Sequence, residues 1–226
     1  MTELKGYREN EIKWYILAYL LLVIAVCYPS SVQGLDLDIV AKIEKLLVSS
    51  ALSGSICTLA FVFDSVFTTK MKDALVYLGF TKIPGSKVFS RISTGKLNDI
   101  RIRNLDAKTF YAPVIVDLPD GRKDRSQYEN TKWYGIYSKH KDDPRVQSGH
   151  RDSLLCRDLY IVTVILAVLT LTAAMVHLLP FKGIIFGYLF IMLIITNLAA
   201  RNKARRFVDT AIAVDMTSVQ KEKDKD

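Results

Sequence analysis

Residues 160–179 read YIVTVILAVLTLTAAMVHLL, and after Pro180, Phe181 and Lys182 residues 183–200 read GIIFGYLFIMLIITNLAA. Neither stretch carries an Asp, Glu, Lys or Arg, and the only charged side chain in the turn between them is Lys182. A helix crosses about 30 Å of hydrocarbon with roughly 20 largely apolar residues. Helices buried in a soluble protein would keep a polar face at helical spacing, and these keep none. The pair is therefore predicted to be a transmembrane hairpin. Two earlier stretches, residues 14–30 and 46–67, are predicted to be spans by the same measure. The segment before the first span balances Glu3, Glu9 and Glu11 against Lys5, Arg8 and Lys13, unlike the positive flank of a cleaved signal, so retention of that helix is expected.

Charge sets the expected orientation. Half of the 226 residues are hydrophobic, yet the chain has a net charge of +8. Residues 68–157 hold 18 Lys+Arg against 10 Asp+Glu, so the excess belongs to the segment between the second and third spans. Lys70, Lys72, Arg151 and Arg157 flank it, and Arg201, Lys203, Arg205 and Arg206 follow the last span. Basic residues at span ends mark the cytoplasmic side. Both termini and the insert are thus predicted to be cytoplasmic, with two short external loops.

The expected fold is an α-helical membrane protein with four transmembrane helices and a small, mostly β (α+β) cytosolic insert between helices 2 and 3. Its parts are a tail (1–13), two spans (14–67), a basic domain on helical stalks (68–157), two spans (158–200), and a basic then charged tail (201–226). The stalks are expected from about residues 38–77 and 145–157, which contain few helix breakers. The β expectation rests on Lys87-Val88-Phe89-Ser90-Arg91-Ile92 and Asp99-Ile100-Arg101-Ile102-Arg103, which alternate apolar and polar residues. Residues 110–118 form a third β-rich run closed by the Pro119-Asp120-Gly121 turn, and residues 133–137 are a candidate fourth strand.

No catalytic constellation stands out, and the chain is read as a non-enzyme without cofactor. Gly85-Ser86-Lys87 and Ser93-Thr94-Gly95-Lys96 are fragments that lack the spacing of a phosphate loop. His140, His150 and Cys156 lack the paired spacing of a zinc site. His177 is read as an interfacial histidine. Asp64 is the one acid within an expected span, and either reaches the cytoplasmic interface or serves a pore.

Binding is the better supported chemistry. Lys132, Trp133, Tyr134 and Tyr137 interleave cations with aromatic rings, and Arg91, Arg101 and Arg103 lie on the expected strands. Stacking faces beside phosphate-attracting charges suit a nucleotide or single-stranded nucleic acid. The alternative for the same residues is a solvated basic face that meets anionic headgroups. Gly183-Ile184-Ile185-Phe186-Gly187 is a GxxxG motif, which lets helix backbones approach closely. With Ser50, Gly54 and Asp64 on the second span it points to a homo-oligomer, a tetramer being favoured, whose second helices line a central space.

In topology, size and insert charge the chain resembles small bacterial anti-phage membrane effectors of the CBASS and Hailong types, and the four-helix membrane component of Kiwa. The resemblance implies an inner-membrane oligomer or ion channel gated by a cytosolic domain that senses a nucleotide. The alternative is a membrane scaffold whose basic insert and tail recruit a soluble partner protein.

Overall fold

The computed structural model describes residues 2–27, 62, 66–78, 83–97 and 99–223. The helices are α1 (Thr2–Cys27), α2 (Thr69–Tyr77), α3 (Val88–Ser93), α4 (Asn104–Phe110), α5 (Ala112–Val116), α6 (Arg122–His140), α7 (Pro144–Met175) and α8 (Gly183–Lys223), with a 3-10 turn at Pro84–Lys87. The described residues contain no strand. They form two compact units: Met1–Lys72 with Leu155–Ala199, and Asp73–Leu154 with Ala200–Asp226. Both α7 and α8 contribute residues to each unit.

Among the described residues three helices are long and apolar enough to cross a membrane, over Asn10–Cys27, Pro144–Met175 and Gly183–Ser218. In lipid every backbone polar group must be satisfied within the segment, which favours helix for such runs. The first unit packs Ile12, Ile16, Leu17 and Val23 of α1 against Val162 and Leu166 of α7 and Ile185 and Leu189 of α8. Two polar contacts fix the register of α1 on α7. Tyr15 Oη lies 2.9 Å from Thr163 Oγ1, and Tyr19 Oη bonds Thr170 Oγ1. Each threonine hydroxyl already donates to the carbonyl four residues earlier, on Leu159 and Leu166, so the tyrosines are the donors. Both indices rise together, so α1 and α7 run in the same direction. At one end of this unit Asp158 is buried and meets Lys72 at 3.6 Å and Arg157 at 3.3 Å.

The second unit corrects the expected β insert: its described residues form helices joined by turns, with no strand. Residues 87–92 fold into the 3-10 turn and α3, because Val88, Phe89 and Ile92 share a helical face as readily as they alternate, and all three are fully buried. A six-residue window cannot separate the two periods. Gly95, at φ 65°, then ends α3 in a left-handed cap where its N–H reaches the Ile92 carbonyl. Residues 99–103 turn rather than extend, since the Asp99 carboxylate accepts the Arg101 backbone N–H at 3.0 Å. Residues 110–118 enclose α5, whose Pro113 suits a first helical turn and would break a ladder. Residues 133–137 lie inside α6.

The four-span expectation is corrected too. Three candidate spans occur among the described residues, and the expected second span (46–67) lies outside them except for Val62, Val66 and Phe67. Of the proposed stalk at 38–77, the described residues are 62 and 66–77, and α2 is the helix among them. The largest departure is at the other end. α8 does not stop at residue 200; it continues to Lys223, and its later turns become the centre of the second unit. Residues 207–215, FVDTAIAVD, are buried on every side, with Ala211 and Ile212 at 0% exposure. Val88, Phe89, Ile92, Leu97, Ile102, Ala107 and Tyr111 surround Val208, Ile212 and Ala213, while Val146 packs on Phe207 and Val214.

Replacing Tyr15 and Tyr19 together by Phe should lower the thermal stability of the purified protein. Interhelical hydrogen bonds in membranes contribute about 0.6 kcal/mol each on average, so a loss near 1 kcal/mol is expected. An unchanged melting curve would mean that apolar packing alone sets the α1–α7 register.

Candidate functional site

A helix buried all round cannot leave carboxylates unpaired, and the buried turns of α8 carry Asp209 and Asp215. Arg91 of α3 answers the first, its two guanidinium nitrogens donating to the two Asp209 oxygens, one at 3.2 Å. Asp215 accepts the Tyr111 hydroxyl at 2.8 Å and contacts His140 Nε2 at 2.8 Å, with Lys139 Nζ 3.8 Å away. Burial, and then the Asp215 charge, push the Tyr111 hydroxyl far above its ordinary pKa, so it stays a neutral donor. Arg101 grips both oxygens of Asp99, at 2.9 and 2.6 Å, and reaches Thr210 Oγ1 at 2.9 Å.

The residues predicted to bind an anionic ligand therefore divide. Arg91 and Arg101 brace α8. Trp133 stacks on Tyr137 with ring centroids 5.7 Å apart and meets the edge of Phe207 at 5.5 Å. A Cβ on Gly85 would come within 2.9 Å of the same indole, so glycine is what admits it. Tyr137 also packs on Phe207 and places its hydroxyl 3.2 Å from His150 Nδ1. These two rings are partly buried and packed against the core, stacked on one another and on Phe207. Tyr134 stays 59% exposed, Lys132 lies 5.3 Å over the Tyr128 ring, and Arg103 pairs loosely with Asp106 at 3.7 Å in open solvent. Exposed pairs of that kind contribute little. On α8, a Cβ on Gly183 or Gly187 would meet nothing within 4 Å. Ser50, Gly54 and Asp64 lie outside the described residues.

What the fold does assemble is a groove of about 920 Å³ within the second unit. Its walls are the turn at residues 99–101, the first turns of α7 and residues 202–210 of α8. Arg101, Arg145, Lys203, Arg205 and Arg206 face it, against Asp99, Asp152 and Asp209. Each of those acids already has a partner: Arg101 on Asp99, Lys203 on Asp152 at 2.8 Å, Arg91 on Asp209. Arg145 is held by Asp143 at 2.9 Å and remains 61% exposed. Arg205 and Arg206 are exposed, with no ion pair among the described residues. Hydrogen bonds from Arg101 hold the Asp99 carboxyl below its usual range, and those from Arg145 bring Asp143 down to about 2. Groups depressed in this way contribute fully above the ordinary carboxylate range and lose that contribution as pH falls through the lowered values.

Comparison with family models, with curated proteins and with solved structures matched nothing to this chain.

No group of His, Cys, Asp and Glu among the described residues could hold a metal ion. His150 and Cys156 fall in different units. Exposed guanidinium groups converging from separate segments suit the planar, doubly bonded recognition of phosphate or carboxylate. Arg145 was not singled out for binding by sequence, and Arg205 and Arg206 were only as part of the basic tail expected to recruit a soluble partner. The signal that finds them is the run at 207–215, too short for a span and carrying two acids, which demands a buried helix ringed by cations.

Asp209→Ala should destabilise the second unit by about 1.5–3 kcal/mol, because it strips the part-buried Arg91 guanidinium of its charged hydrogen-bond partner. Chemical denaturation of the purified protein reads this. The paired change Arg91→Met with Asp209→Leu should recover most of the loss. If Asp209→Ala alone proves neutral, Arg91 is free for a ligand after all.

Proposed function

We propose that this chain is a non-enzymatic membrane receptor whose second unit takes a phosphate-bearing anion in the Arg145/Arg205/Arg206 groove and passes its occupancy to the membrane helices. The observation that carries this reading is the double use of α8. One helix supplies both a candidate span and the wall of the groove, so an anion drawing on Arg205 and Arg206 acts on a membrane helix without any intermediary. The Lys/Arg excess supports a cytoplasmic position for the second unit in this reading. An oligomeric effector or channel is the fitting output, and the open space beside Gly183 and Gly187 is compatible with close approach of a second copy.

The groove also moves the expected binding site. Trp133 and Tyr137 are engaged in the core, so recognition rests on charge and guanidinium geometry rather than on base stacking.

Ion flux from liposomes carrying the reconstituted protein tests the reading, with inorganic polyphosphate, nucleotides and anionic lipid supplied in turn. One of these anions should change the flux. Arg145→Ala with Arg205→Ala should then move the response midpoint roughly tenfold or more to higher anion concentration, since a hydrogen bond to a charged group contributes about 1.5–3 kcal/mol. Anion binding without any change in flux would favour a scaffold that recruits a soluble partner. Absence of binding to every anion would remove the receptor reading.

A further inference from the structure

Granting that the groove is an anion site, its shape selects among phosphate-bearing ligands, and every residue that shapes it lies within the second unit. On α7 the groove residues Arg145, Ser148, Gly149 and Asp152 are spaced i, i+3, i+4, i+7, which is one face of a helix. On α8 Asn202, Arg205, Arg206 and Asp209 repeat that spacing. The two faces run antiparallel. Asp152 meets Lys203 at 2.8 Å, a Cβ on Gly149 would lie 3.5 Å from Phe207 Cα, and Val146 packs on Phe207 and Val214. Numbers fall along α7 as they rise along α8, so the groove is a straight trough between two stripes. At about 1.5 Å of rise per residue each stripe is roughly 10 Å long. Its open donors are strung along that length. Arg145 stands at one end and Asn202 at the other, with Ser148, Arg206 and Arg205 between them in that order. The Ser148 hydroxyl and the Asn202 amide are exposed and have no side-chain partner among the described residues.

One phosphate, held at charged hydrogen-bond lengths of about 2.7–2.9 Å, fills only part of such a trough. The volume of about 920 Å³ lies near the top of the roughly 300–1,000 Å³ that ligand pockets span. Nor does the lining favour a base. Phe207, the aromatic residue of the groove, is buried, with His150 stacked on it at 5.0 Å and Trp133 and Tyr137 in T-shaped contact at 5.5 Å. A nucleobase needs an aromatic face to stack on, and a phosphate chain does not. The acids of the trough are neutralised by Arg101, Lys203 and Arg91, so they do not oppose an anion laid along it. We infer that the groove takes a linear oligophosphate, whose successive phosphates meet Arg145, Arg206 and Arg205, and that it reads the length of the phosphate chain. Ser148 and Asn202 supply neutral donors to the phosphates beside and beyond the arginines.

Titration calorimetry of the full chain in a neutral detergent, free of divalent cations, tests this. The arms are orthophosphate, pyrophosphate, tripolyphosphate, ATP and tetraglutamate. Affinity should rise roughly tenfold from orthophosphate to pyrophosphate and again to tripolyphosphate, because each added phosphate gains charged hydrogen bonds. ATP should bind no tighter than tripolyphosphate, and tetraglutamate more weakly. Arg205→Gln with Arg206→Gln should abolish the gradient, and Arg103→Gln with Lys132→Gln, surface cations outside the groove, should preserve it. Asn202→Ala should weaken tripolyphosphate several-fold and leave orthophosphate unchanged, a split that a merely structural role would not produce. Orthophosphate binding as tightly as tripolyphosphate, or ATP binding more tightly, would overturn the oligophosphate assignment and leave the receptor reading standing. Tetraglutamate equal to tripolyphosphate, or a gradient that survives the Arg205/Arg206 change, would mean a general response to charge and would overturn it as well. No binding of any anion would overturn both.

Discussion

Residues 207–215 of α8 are enclosed by protein on all sides, and two of the enclosed residues are aspartates. An uncompensated carboxylate in such a place would cost several kcal/mol, and the arrangement of the second unit follows from avoiding that cost. Asp209 requires a cation with two donors in one plane, which brings Arg91 and therefore α3 onto the helix. Asp215 requires donors from another side, which Tyr111, between α4 and α5, and His140, at the end of α6, provide. The apolar faces of the same elements then close over Ile212, Ala213 and Val214. Ion pairing sets orientation here, and hydrophobic burial supplies the driving force.

Three of the four expected spans were legible as helices long and apolar enough to cross a membrane, because a span is a long signal, some 20 residues of one character. The helical domain was not legible, for reasons particular to its residues. Lys87-Val88-Phe89-Ser90-Arg91-Ile92 fits both periods, and the capping that decides between them depends on contacts distant in the chain, such as Glu129 accepting the Ser90 backbone N–H at 3.0 Å. The five-residue α5 is below the length at which any periodicity can be read. Asp99-Ile100-Arg101 alternates like a strand, yet its side chains bond one another in a turn. Basic residues were read correctly as a concentration of charge. Their division into internal braces and an open set depends on which acids α8 brings within reach, and that is a tertiary fact. The aromatic run 133–137 misled for the same reason: a stripe of rings at helical spacing serves a core as well as a ligand.

Taken together, the second unit is organised around a helix that also supplies a candidate membrane span. Its polar surface is asymmetric. Arg91 and Arg101 face inward to hold the helix, while Arg145, Arg205 and Arg206 gather on a groove whose acids are already engaged. Under the proposed reading, an added anion would relieve repulsion among the guanidinium groups of Arg145 on α7 and Arg205 and Arg206 on α8.

The account stands or falls on the placement of residues 207–215 at the centre of a folded domain rather than in a trailing tail. Amide hydrogen exchange of the full chain in detergent, read peptide by peptide across residues 201–223, tests this most directly. Buried, hydrogen-bonded amides exchange only through large opening events, whereas frayed ends exchange at once. The account predicts that amides of 207–215 exchange as slowly as those of 160–170 in the membrane unit. Exchange of 207–215 within seconds would contradict it.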